Sequence, residues 1–157
     1  MSVLISSCVC PYFCACRWTA TVSVIFAAIR EQVFGIYLSN SFTGELTQLV
    51  GFNYVDNWDL IQSGDNDDTT NQGIQYSLLE WESLIEVTGI FLAPNKISWY
   101  LIGYKRHQIK CKCTNPGIKK TLTAKIKEGI TVPLRYLKLY EAMKILGIYL
   151  SPDINNH

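Results

Sequence analysis

Residues 51–64, GFNYVDNWDLIQSG, constrain the fold of this chain more than any other stretch. An apolar run through Leu49, Val50, Phe52, Tyr54 and Val55 meets a polar pivot, Asp56 and Asn57, and a second apolar run follows through Trp58, Leu60 and Ile61. Two apolar runs about a short polar pivot read as a β-hairpin with acidic chemistry at its tip. A tight turn between core-packed strands holds a side chain rigidly yet leaves it open to solvent, which suits a carboxylate that binds a hard cation. Asp56 is the candidate ligand.

The 157 residues suit one domain with a real core, and 48% apolar against 17% charged residues excludes a disordered chain. A net charge of +1 conceals a split: residues 1–95 sum to −8 and residues 96–157 to +9. Such a split fits a site in which one part handles cations and the other polyanions, and it equally fits two halves that pair with each other. The six cysteines fall as Cys8, Cys10, Cys14 and Cys16, then Cys111 and Cys113. The first group lacks the C-x-x-C spacing of zinc ribbons, and neither His107 nor His157 completes a zinc pattern, so zinc competes with plain reduced thiols. No basic segment precedes the uncharged residues 3–16, Arg17 interrupts them, and the apolar run 18–29 is too short to cross a bilayer. The expectation is an intracellular chain with no targeting signal and no membrane role.

Along the chain, residues 1–16 show neither helical nor strand periodicity and are left as an unassigned Cys-rich leader. Trp18, Val22, Ile25 and Ile29 form one helical stripe, with Gly35 as the stop beyond an end near Val33. Strands over 34–38 and 45–54 flank a turn-rich link, and Trp58 to Gln62 returns from the Asp56 turn. Residues 63–73 hold Asp65, Asp67 and Asp68 but have Thr70 and Tyr76 where a calcium loop needs glycine and glutamate, so they read as a solvated loop favouring the helix that follows. That helix carries Ile74, Leu78, Trp81 and Ile85 on one stripe and closes at Gly89. A strand over 97–104 is broken by Lys105, Arg106 and His107, and residues 108–113 return as a basic strand. Lys110 and Lys112 alternate there, either protecting an edge strand or contacting nucleic acid. Residues 114–129 read as an exposed connection, 130–139 as extended, 140–145 as a helical turn and 146–150 as a last strand. The fold class is α+β: an antiparallel sheet, two packed helices and a β-rich C-terminal part.

Tyr54-Val55-Asp56-Asn57 resembles the YxDD hairpin of reverse transcriptases with its second aspartate changed to asparagine. The ordered series extends the resemblance over roughly residues 17–153. The helix from Trp18 is similar in place to the one below the incoming nucleotide. Glu86-Val87-Thr88-Gly89, then Leu92-Ala93-Pro94-Asn95-Lys96 and Trp99-Tyr100-Leu101-Ile102, resemble the block whose lysine faces the triphosphate. Leu146-Gly147-Ile148 resembles the strand that grips the primer end. The resemblance implies a palm domain over residues 17–157, an RNA-directed DNA polymerase of retroelement type. It also implies Mg2+ or Mn2+ as cofactor, and a template-primer of RNA or DNA with dNTP as partners. Asp56 would be the metal ligand, Asn57 its neighbour at the catalytic tip, Lys96 a triphosphate contact or proton donor, and Gly147 part of the primer contact.

Nucleotidyl transfer uses two divalent ions held by several converging carboxylates. Asp56 supplies one, Asn57 offers only a neutral carbonyl, and residues 1–50 contain no aspartate at all. Asp59 lies near Asp56 in sequence but on the return strand. The resemblance therefore implies a truncated, degenerate palm, inactive alone, whose hairpin lacks a central sheet neighbour and exposes an edge for self-association. The alternative is a nucleic-acid-binding module using Lys105, Arg106, Lys110, Lys112, Lys119 and Lys120. Since Asp56 is the one carboxylate at the tip, Asp56→Ala is expected to remove Mn2+ binding, measured by paramagnetic resonance titration.

Overall fold

The computed structural model describes residues 2–8, 15–32, 34–54, 57–89, 92–107, 110–116, 120–125, 129–145 and 148–152. Two helices form where the apolar stripes predict them. Helix α1 (Ala15–Glu31) buries Val22, Ile25 and Ile29. Helix α2 (Asp67–Glu86) buries Ile74, Leu78, Trp81 and Ile85. The acidic stretch expected to be a solvated loop is instead the first turn of α2. Asn66 caps it, its Oδ1 accepting from the Thr69 amide at 2.9 Å while its own amide donates to Thr69 Oγ1 at 3.4 Å. Asp67 and Asp68 then lie at the positive end of the helix dipole, where anions are favoured.

The strands are β1 (Ser2–Cys8), β2 (Ile36–Ser39), β3 (Leu46–Leu49), β4 (Gly51–Tyr54), β5 (Asn57–Ser63), β6 (Ser98–His107), β7 (Lys110–Thr114), β8 (Thr123–Lys125), β9 (Thr131–Pro133), β10 (Arg135–Tyr136), β11 (Met143–Ile145) and β12 (Ile148–Leu150). The main sheet runs β10-β6-β1-β5-β4, with β7 added on β6. Elements β1, α1, β4, β5, α2 and β6 thus form a split βαββαβ unit, its four strands antiparallel throughout. The β2–β3 hairpin is an insertion between α1 and β4.

The leader expected to stand outside the fold supplies the centre of the sheet. Ser2–Cys8 pairs with β5 on one side and β6 on the other. Both edges of β5 are therefore occupied, and the open edge expected beside the hairpin is filled; among the described residues the outer strand is β4. Serines and cysteines alternate too little in polarity to signal a strand, but a central strand needs only backbone groups to complete its ladders.

On the helix side of the sheet, Trp58 and Leu60 of β5 and Trp99 and Leu101 of β6 are fully buried against α1 and α2. Trp58 stacks on Trp81 with ring centroids 3.9 Å apart, and Phe26 of α1 reaches the same indole at 5.5 Å. Truncating such a side chain costs about 3–5 kcal/mol.

The strand expected over 45–54 breaks at buried Val50 into β3 and β4, so one run serves two sheets. Gly51 makes the junction possible, because a Cβ there would stand 2.0 Å from the Asp59 carbonyl oxygen. Gly35, at φ 108°, turns the chain out of α1, and its amide donates to the buried Gln62 Oε1 at 2.8 Å.

Several C-terminal expectations are corrected. Strand β6 does not break at Lys105 but runs to His107, because β7 pairs with its second half. The stretch expected to be an exposed connection buries Leu122 and Ala124. Strand β8 is held along α2: Gln75 exchanges two 2.9 Å hydrogen bonds with the Thr123 backbone, and the Lys125 amide donates to Glu82 Oε1 at 2.7 Å. Met143–Ile145, expected to be helical, pairs with β12, and the Tyr100 hydroxyl donates to the Glu141 carbonyl at 2.6 Å to hold that segment on the sheet. Among the described residues no helix is long and apolar enough to cross a membrane.

Two outcomes follow from this packing. Gly51→Ala should destabilise the fold by about 2 kcal/mol or more, read as a lower denaturation midpoint at unchanged m-value. Burial pushes the Glu82 carboxyl up to about 7, the Lys125 amide opposing it. A carboxyl raised on folding favours the protonated native state, so its contribution is full below the ordinary glutamate range and is lost as pH rises through about 7. Glu82→Gln keeps an acceptor for the Lys125 amide and should flatten that decline in a denaturation series across pH.

Candidate functional site

The site suggested by sequence lies at one end of the main sheet. The end of β4, the start of β5, the end of β1 and the start of β6 all meet there. Asn57 opens β5, its Cα partnered with Tyr54 on β4 and Cys8 on β1. Asp56 itself lies outside the described residues. Two residues further in, half-buried Asp59 is the Cα partner of Phe52 and of Ser6, and Ser6 in turn partners Ser98 on β6. Trp58 and Leu60 turn toward the helices, so strand alternation puts Asp59 on the opposite face, beside Phe52, which is 54% exposed.

Lys96 is brought to this end as the resemblance implies. It closes a 3-10 turn, Pro94–Lys96, two residues before β6 begins at Ser98, and it is exposed. Only β1 separates β6 from β5, a lateral distance of about 10 Å at the usual strand spacing. A second cation joins it that sequence reading missed. Arg135 pairs in parallel with Ser98 through β10 and is exposed. An open groove of about 500 Å³, lined by Pro94, Asn95, Val132, Pro133, Leu134 and Arg135, lies beside it. Nothing local to Arg135 signals this, because a two-residue parallel bridge joins segments far apart in the chain.

The donors do not fit a pair of divalent ions. The strand adjoining the tip presents Ser6, Ser7 and Cys8 as register partners of Asp59, Trp58 and Asn57, with no carboxylate among them. Among the described residues no three Asp, Glu, His or Cys side chains converge on a point that holds a metal. Hydroxyl and amide types beside one or two aspartates leave the charge of two such cations largely uncompensated. Of the cysteines, Cys10 and Cys14 lie outside the described residues, and Cys113 is a half-buried free thiol.

The basic residues gather elsewhere. Lys105 and Lys112 are Cα partners and both exposed, and the same ladder sets Arg106 opposite Cys111 and His107 opposite Lys110. His107 is nine residues along β6 from Ser98, about 30 Å at the strand rise, so this group stands at the far end from the Asp56 turn. Lys120 is exposed on the segment leading into β8, while Lys119 lies outside the described residues, as does Gly147 in the turn between β11 and β12. The hairpin to which Gly147 belongs rests on the open face of the sheet, where Met143 packs with Tyr100 and Leu137.

Compared with protein-family models, with curated proteins and with solved structures, the chain matches none.

Proposed function

We propose that this chain is a reverse-transcriptase-like palm of retroelement type whose metal centre has been lost, and that it does not polymerise DNA by itself. The observation that carries this reading is the register of β1. A palm of this type needs an upstream strand beside the metal-binding hairpin, carrying a carboxylate of its own. Here an upstream strand does lie beside the hairpin, and at its tip end it carries Ser6, Ser7 and Cys8. A decayed centre in a retained frame accounts for both facts together.

The βαββαβ order, the polar turn between β4 and β5 and the arrival of Lys96 at the same end of the sheet all support the reading. Fold alone would not, since one architecture hosts many chemistries. In the intact chemistry two divalent ions lower the pKa of the attacking hydroxyl and offset charge on the leaving pyrophosphate. In this chain Asp56 alone keeps the role of ligand, while Lys96 and Arg135 keep the electrostatics that would face a polyphosphate.

Primer extension on an RNA template, with Mg2+ and separately with Mn2+, tests this. The unaltered chain and Asn57→Asp should both leave the primer unextended. Asn57→Asp combined with Cys8→Asp places carboxylates at partnered positions of β5 and β1, and should tighten Mn2+ binding about tenfold or more. Extension by the unaltered chain would overturn the reading.

A further inference from the structure

Strand β6 has two halves with different partners. Ser98 to Ile102 lie in the main sheet beside β1, whereas Gly103 to His107 pair with β7. Beyond the end of β1 the chain therefore continues as a two-stranded ribbon of five residue pairs, about 17 Å long at the antiparallel rise.

The charge on this ribbon is arranged in a way that packing does not explain. Lys105 stands directly opposite Lys112, and like charges at partnered positions destabilise a ladder. The ladder also sets His107 opposite Lys110, with Arg106 between the two pairs. From residue 105 to residue 127 the sequence has eight Lys and Arg and no Asp or Glu, so no acidic residue within that stretch offsets the repulsion. Protection of an edge calls for lysines on the outer strand, and Lys110 and Lys112 on β7 would meet that need. It does not call for Lys105 and Arg106 on the inner strand facing them. Cations on both strands are what a ribbon requires when anions flank it on two sides.

We propose that the β6–β7 ribbon is an arm that binds double-stranded nucleic acid by its phosphates, lying in a groove with Lys105 and Lys112 directed to the backbone. A major groove about 12 Å wide admits a two-stranded ribbon and lines it with phosphates on both walls. Contacts of this kind position the protein without reading sequence. Tyr104, 52% exposed next to Lys105, supplies a hydroxyl of the kind that also donates to phosphate. This arm does not rest on the polymerase-like reading: its residues stand at the opposite end of the sheet, and duplex binding and primer extension are separate readouts.

Fluorescence anisotropy with a labelled DNA duplex of arbitrary sequence, titrated from about 50 to 200 mM salt, tests the proposal. Affinity should fall with rising salt, and Lys105→Glu should weaken binding about tenfold or more and lower the salt slope by about 2, one for each unit of charge changed. The same substitution turns a repulsive pair into an attractive one with Lys112, so it should melt no lower than the parent. Lys112→Glu, its mirror on the other strand, should behave alike and serves if Lys105→Glu does not fold. Binding unchanged in either folded variant would overturn the proposal. So would no duplex binding by the unaltered chain at low salt, binding indifferent to salt, or tighter binding of the single strand than of the duplex.

Discussion

The backbone pairing of β1 between β5 and β6 is the interaction on which the rest of the structure depends. Trp58, Leu60, Trp99 and Leu101 are all fully buried on those two neighbours, and strands that deep in a core cannot leave a row of amides and carbonyls unpaired. Seven residues of β1 partner β5 and five partner β6. Once the sheet is closed across its middle it forms a platform for α1 and α2, and the stack of Trp58 on Trp81 fixes where α2 lies. The indole N–H groups of Trp58, Trp81 and Trp99 are buried with no acceptor. Apolar area and ring stacking, not polar pairing, hold this aromatic layer together, and they must outweigh the desolvation of three donors.

The sheet separates two kinds of chemistry along its strands. One end gathers the Asp56 turn, Asp59, Lys96 and Arg135; the other gathers the paired lysines of the β6–β7 ribbon. Strand β6 links them and belongs to both. Because surface charges separated by about three Debye lengths at physiological salt are largely screened from each other, a change at one end has little electrostatic effect on the other. A centre stripped of carboxylates and a ribbon rich in cations can therefore coexist in one small fold.

Legibility in the sequence followed the range of the interaction. Val22, Ile25 and Ile29, and likewise Ile74, Leu78, Trp81 and Ile85, announce their helices because a helical stripe is written at spacings of three and four. The start of α2 was also written locally, in Asn66 and Thr69, but the acidic residues between and around them resemble a loop until the cap is recognised. Residues 114–129 misled for a different reason. Leu122 and Ala124 are only two apolar anchors, and the side-chain bonds from Gln75 and Glu82 that hold β8 come from a helix more than forty residues away.

What the sequence by itself determined is the acidic turn after β4, the two apolar helix faces, the α+β class and the division of charge between the halves. Each of these depends on residue types and on neighbours within a few positions. Only the tertiary structure decided that Ser2–Cys8 lies beside the hairpin, that Arg135 reaches Ser98, and that Lys105 faces Lys112. Those placements are made by backbone hydrogen bonds between distant segments. Every residue but proline offers the same donor and acceptor to such a ladder, so the identity of the residues does not announce which strand will be its partner.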